Sequence, residues 1–242
     1  MTFDPHQRRA YKAERAFDID TSTTTVQKFY RSGPSPLWHQ HEIGRATFGG
    51  AFLVRLEPDR RAVEARLNQL VDLIVATDWW QEVDGRRKHV KMGRPAVTRS
   101  ESGNAYAIRR RGQAVIAFPK YASLNTAVVV AHELAHHVGG LGDDAHGGRW
   151  AGAFVHLVDM VLGPWYGHLL AGHFHEKGVP VDLEAWPAPD RLTMPLYDVV
   201  AVQHGLTPAS TAGARAASRN APRDALPLGA EDFEQPSLFA AA

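Results

Sequence analysis

His132-Glu133-Leu134-Ala135-His136 places two imidazoles four residues apart, with a carboxylate directly after the first. On a helix, residues i and i+4 share a face, so both rings can reach one ion. The glutamate is one residue on from the first histidine. It is poorly placed to join the same coordination shell and well placed to reach a water on the metal. The chemistry open to such a group is hydrolysis. A zinc ion acidifies the water, and the carboxylate takes its proton and later hands it to a leaving group. With 13 histidines among 242 residues, chance supplies about 0.03 such motifs per chain. A helix has little other reason to carry two histidines and a glutamate on its apolar side.

Two imidazoles leave the site incomplete, and several residues compete to finish it. His146, in "AHGGRW", is the nearest imidazole beyond the motif, ten residues after His136. Asp143 and Asp144 lie in the loop before it. Asp159 and Glu176 lie further on, where a third ligand from a later helix would come from. His137 follows His136 directly and points about 100° away on a helix, so it is expected beside the site rather than in it.

The elements that must position these groups can be read from periodicity. Residues 6–17 read as a short polar helix, and "RSGPSP" at 31–36 breaks the pattern. Residues 60–80 carry Val63, Leu67, Leu70, Leu73 and Ile74 at helical spacing. From Lys88 to Pro119 the stretches "HVKM", "AVTRS", "NAYAIR" and "AVIAFP" are short and β-prone, and "RRGQ" at 110–113 is expected to close a hairpin. A helix starting near Asn125 and stopped by Gly139-Gly140 carries the motif. Helices over 148–163 and 165–176 follow. The expected organisation is an N-terminal extension (1–58), a metal-binding domain (59–180), a C-terminal extension (181–204) and a disordered Ala/Pro/Ser/Gly-rich tail (205–242). The fold class is α+β, with a small mixed or antiparallel sheet packed on the motif helix.

Composition narrows the chemistry further. There is no cysteine, which excludes disulfides, thiolate ligands and thiol catalysis, so a transition metal must be held by His, Asp or Glu. Lys+Arg 27 against Asp+Glu 26 leaves bulk charge neutral on the question of nucleic acid. The charged N-terminus is not expected to be a signal peptide, and no apolar run in the sequence reaches the length of a membrane-spanning helix. The expectation is a soluble cytoplasmic protein with no membrane partner.

"HELAH", then "HVGGLGDDA", then "HGGRW" resembles the SprT-like zincins, whose pattern is HExxH followed by H-G-x-x-[FW]. That family includes the bacterial SprT proteins and the Spartan-type proteases that digest DNA–protein crosslinks. The resemblance covers roughly residues 60–165. The chain is also similar to small actinobacterial HExxH proteins classed as metallohydrolases, through its Arg/Ala-rich composition and "RRAYKAE". The SprT-like resemblance implies a zinc-dependent metalloprotease of zincin-like fold. His132, His136 and His146 would be the Zn2+ ligands, Glu133 the catalytic glutamate, and DNA-associated proteins the substrates. It implies that Gly147 permits a tight turn after the third ligand and that Trp150 anchors the next helix. It also implies that the strand ending in "AVIAFPK" is an exposed edge for an extended peptide. Gly139 falls on the glycine of the metzincin pattern HExxHxxGxxH, but Gly142 stands where that pattern has its third histidine. Many SprT-like proteins carry a Cys-rich zinc ribbon, which a chain without cysteine lacks.

The remaining features allow further roles. Tyr166, His156, His168 and Tyr121 are candidates to stabilise an oxyanion. "GHLLAGHFHE" (167–176) and "WHQHE" (38–42) read as wet surface more readily than as second metal sites. "RRK" (86–88) and "RRR" (109–111) are solvated loops or a nucleic-acid-facing patch. In the tail, Gln235-Pro236-Ser237-Leu238-Phe239 resembles the Q-x-x-L-F peptide that binds the bacterial sliding clamp. Such a peptide would restore a link to DNA. Two other readings stand beside the protease. In one, a non-catalytic zinc-containing protein is recruited through its tail. In the other, a regulatory protease acts on one repressor-like protein.

Overall fold

A computed structural model describes residues 5–26, 60–87, 91–100, 105–119, 127–141 and 145–203. Asp143, Asp144, Tyr121, the "WHQHE" stretch and the clamp-like peptide at Gln235, Leu238 and Phe239 lie outside these residues.

The described chain is mixed α and β, mostly helical, around one small sheet. Helix α1 (Pro5–Val26) outruns the helix expected over 6–17. It buries Ala10, Ala13 and Phe17, which recur on one face. Helix α2 (Arg60–Val75) buries Leu67, Leu70, Val71 and Ile74, as the periodicity requires. The helix expected to run on to residue 80 instead breaks, and α3 (Asp78–Gly85) starts afresh. The cause is Thr77. Its hydroxyl accepts the Trp80 N–H and donates to the Ile74 carbonyl, capping a new N-terminus. The break lets both Trp79 and Trp80 be buried.

Strands β1 (Ala96–Ser100), β2 (Tyr106–Arg110) and β3 (Gln113–Pro119) fall where "AVTRS", "NAYAIR" and "AVIAFP" were read, while Lys91 and Met92 of "HVKM" are irregular. β3 is central. It pairs parallel with β1 and antiparallel with β2, so the sheet is mixed. This corrects the expectation that the strand ending in "AVIAFPK" is an exposed edge: among the described residues β1 and β2 are the edges, and β2 is the one whose outer side faces the motif helix. The β2–β3 hairpin turns on Arg111 and Gly112, both with positive φ (51° and 83°), the conformation of a type I′ turn. A two-residue turn makes Arg110–Gln113, Ile108–Val115 and Tyr106–Ala117 the hydrogen-bonded pairs. The backbone groups of Ala107 and Arg109 are therefore left facing outward.

Helix α4 (Ala127–Gly139) carries the motif and is buried without a break from Val130 to Val138. It lies between the sheet and α5 (Gly148–Leu162), itself buried along almost its whole length. A side chain on Gly139 would meet the Trp150 backbone, with its Cβ 2.6 Å from Trp150 Cα, so α4 and α5 touch where only glycine fits. Pro164 opens α6 (Pro164–Glu176) directly after α5. The expected extensions pack on this body: α1 lies against α6, a 3-10 turn (Leu183–Ala185) against α5, and α7 (Leu196–Gln203) against α2 and α5. No described helix is long and apolar enough to cross a membrane.

Candidate metal centre

His132 and His136 lie one turn apart on α4, and His146 enters from the loop just before α5. Their ligand atoms all lie within 4.8 Å of one another. The Nε2 atoms of His132 and His136 are 3.2 Å apart. Two nitrogens each about 2.05 Å from a tetrahedral zinc would be about 3.3 Å apart, so this spacing suits an ion between them. All three rings are buried, at 7%, 8% and 5% exposure. Burial is also what keeps His136 unprotonated. Desolvation, then the charges of His132, His146 and His137, hold its imidazole down at about 2, leaving its lone pair for an ion. This buried cluster can hold a metal ion.

Trp150 packs against all three rings, with centroids 5.0, 5.5 and 4.7 Å from His132, His136 and His146. The indole is 1% exposed and continues into Phe154 and Phe174. It thus anchors α5 and walls the cluster together. The glycine after His146 has a different role from the one expected. Gly147 is the N-cap of α5 at φ −77°, ψ −171°, extended backbone open to any residue, so no special turn requires it.

Glu133 is 4% exposed and does not belong to the converging ligand set. Its carboxylate lies near the outward-facing backbone of Ala107 on β2. Desolvation raises its pKa to about 7. The charge of His132 opposes that rise, Glu14 adds to it, and the Ala107 backbone opposes it. A carboxyl poised near neutrality can both take and return a proton.

His137 points to the other side of α4, as its position predicted. Its Nε2 lies 3.1 Å from the Val115 carbonyl and pins α4 to β3. Arg87 donates to the His137 and Val138 carbonyls and so closes the helix C-terminus.

The other candidates are engaged elsewhere. His156 Nε2 meets the Leu183 carbonyl at 3.1 Å, and its ring lies against Trp79. His168 Nδ1 meets the Pro164 carbonyl at 2.7 Å on the exposed side of α6. Tyr166 packs beside Trp165 with its pKa raised by burial and by Asp198. Asp159 faces His156, His168 and Arg191, and the Glu176 side chain is 63% exposed. No second cluster of metal-ligating groups forms among the described residues, so "GHLLAGHFHE" supplies none.

Sequence reasoning missed the contribution of α1. Glu14 Oε2 lies 3.2 Å from His132 Nδ1. Tyr11 stacks on His132 at 6.4 Å with an interplanar angle of 11°, and meets His146 edge-on at 5.6 Å. Burial alone would depress His132. The Glu14 carboxylate, through its charge and hydrogen bond, outweighs it and holds the metal-free imidazole up at about 9. The signal was present in the Tyr11-x-x-Glu14 spacing, which puts both groups on one helical face. Nothing in a polar helix 118 residues before the motif pointed to where that face would dock.

No family model, curated protein or solved structure matches this chain.

Proposed function

We propose that this chain is a zinc-dependent metallopeptidase of zincin-like type. His132, His136 and His146 would hold the ion, and Glu133 would serve as general base and then general acid. The convergence of three buried imidazoles, with a buried carboxylate beside them but outside the ligand set, carries this reading. When bound, zinc lowers the pKa of a water and polarises a carbonyl. Glu133 accepts a proton at its carboxylate and returns it to the departing amine. The nearby Ala107 backbone favours the charged form of that carboxylate. The outward backbone of β2, whose Arg109 N–H and C=O pair with no strand among the described residues, suits an extended peptide laid along the sheet edge.

A structural zinc site closes with four protein ligands, whereas three converge here among the described residues. That difference favours catalysis over the reading as a non-catalytic, tail-recruited zinc protein. Substrates associated with DNA rest on the SprT-like motif and on the clamp-like Gln235, Leu238 and Phe239.

In the test, Glu133→Gln in the full chain should lower peptide or casein cleavage by about 10²- to 10⁴-fold. Bound zinc should stay near one ion per chain by elemental analysis. Cleavage undiminished in a clean preparation of that variant would refute the assignment.

A further inference from the structure

We propose that Glu14, on the N-terminal helix, is a positioning residue of the metal centre, holding His132 in the tautomer and orientation that bind the ion. The proposal rests on reading the histidine cluster as a metal site.

The argument starts from the two edges of one ring. His132 Nε2 faces His136 Nε2 at 3.2 Å, so that edge is the one turned toward an ion. In a neutral imidazole that ligates through Nε2, the proton must sit on Nδ1. Glu14 Oε2 stands 3.2 Å from that Nδ1, on the side away from His136. A carboxylate accepting Nδ1–H fixes the ring plane, disfavours the wrong tautomer and makes Nε2 a stronger donor.

The helix is built to hold the carboxylate there. Ala10, Ala13 and Phe17 are buried, and α1 lies against α6. Arg9 Nη1 donates to the Gly178 carbonyl at 3.4 Å, just beyond the end of α6. The adjacent stripe, Gln7, Tyr11 and Glu14, turns toward the cluster. Gln7 Nε2 donates to the Tyr11 hydroxyl at 3.2 Å, and the Tyr11 ring lies along His132. The other carboxylate oxygen, Glu14 Oε1, is buried and has no hydrogen-bond partner among the described residues. Leaving a buried carboxylate oxygen without a partner is costly, and the partner of the other oxygen is His132 Nδ1. Here that partner is the ligand itself, supplied from a helix far away in the chain.

The test measures zinc alone on the full chain, by competition with a chromophoric chelator. Parent, Glu14→Gln and Glu14→Ala are compared, and circular dichroism checks folding. Glu14→Ala is expected to weaken zinc binding by about 10- to 100-fold. Glu14→Gln keeps an acceptor but not the charge, and should lose less. In 15N-edited NMR of the zinc-loaded protein, the His132 Nδ1–H resonance should move in Glu14→Gln. A helix that only covers the site would leave that signal and the affinity of the near-isosteric Gln variant unchanged, and this outcome overturns the proposal. If Glu14→Ala does not fold, the Gln variant decides. If the parent itself fails to bind zinc, the reading of the metal site falls, which is a different result from equal binding by parent and variants.

Discussion

Gly139→Ala isolates the contact on which the geometry of the site depends. Gly139 ends α4 with ordinary helical backbone, so alanine meets no conformational obstacle there. The obstacle is steric. The new Cβ would lie 2.6 Å from Trp150 Cα and 2.8 Å from Trp150 N, where contacts below 3.4 Å are already tight. Both neighbours are backbone, so no side chain can rotate away, and α4 and α5 must part by about 0.8 Å. Such overpacking costs about 1–3 kcal/mol. Alanine's better helix propensity returns at most about 1 kcal/mol, and less at a helix end. The net is a loss of about 1–2 kcal/mol, or about 2–8 °C in Tm for a body of this size. Because Trp150 packs on all three histidines, the same displacement should weaken zinc binding. Gly172→Ala supplies the control. It sits inside α6 with nothing within 4 Å of its Cβ, and should gain up to about 1 kcal/mol. Urea unfolding and a zinc competition titration measure both variants. If Gly139→Ala proved as stable as Gly172→Ala and kept the parent's zinc affinity, the close approach would not hold the site together.

Two further outcomes follow from other parts of the chain. His137 is held down at about 4, first by burial and then by Arg109 and Arg87, with the Val115 bond opposing. Its folded pKa thus lies below the ordinary histidine value of 6.5. The stability it contributes is therefore present above pH 6.5 and lost as pH falls toward 4, about 3 kcal/mol across that window. His137→Gln keeps an N–H for the Val115 carbonyl and removes the titration. The metal-free variant should lose less stability than the parent between pH 7 and 4.5, whereas parallel urea midpoints would contradict this. For the tail, a peptide of residues 230–242 should bind a bacterial sliding clamp in fluorescence polarisation, and Phe239→Ala should abolish binding; equal binding by both peptides would refute the anchor role of Phe239.

Much of the site was legible because its parts are close in sequence. His132 and His136 share a face by helical spacing alone, and the type I′ turn at Arg111-Gly112 was foreshadowed by "RRGQ". His146 emerged as one of several candidates, and the SprT-like resemblance singled it out before the structure placed it with the other two. Strand order was harder. β3 follows β2 through a tight turn, and the unbroken apolar run of "AVIAFP" fits a strand buried on both faces, but its parallel pairing with β1 is non-local. The break at Thr77 was hidden because Leu73 and Ile74 keep the helical period up to the cap.

The sequence by itself determined which groups could bind a metal, since without cysteine the donors are imidazoles and carboxylates. It also determined which carboxylate could serve as base, since one residue's offset on a helix is a local property. Only the tertiary structure decided that β3 is central and β2 an edge strand among the described residues, that Gly139 is a helix contact rather than a metzincin turn, and that Glu14 and Tyr11 reach the cluster. Those facts depend on how α1, α4, α5 and the sheet pack. Packing is set by the summed burial of many side chains, and that sum is not written in the spacing of any one segment.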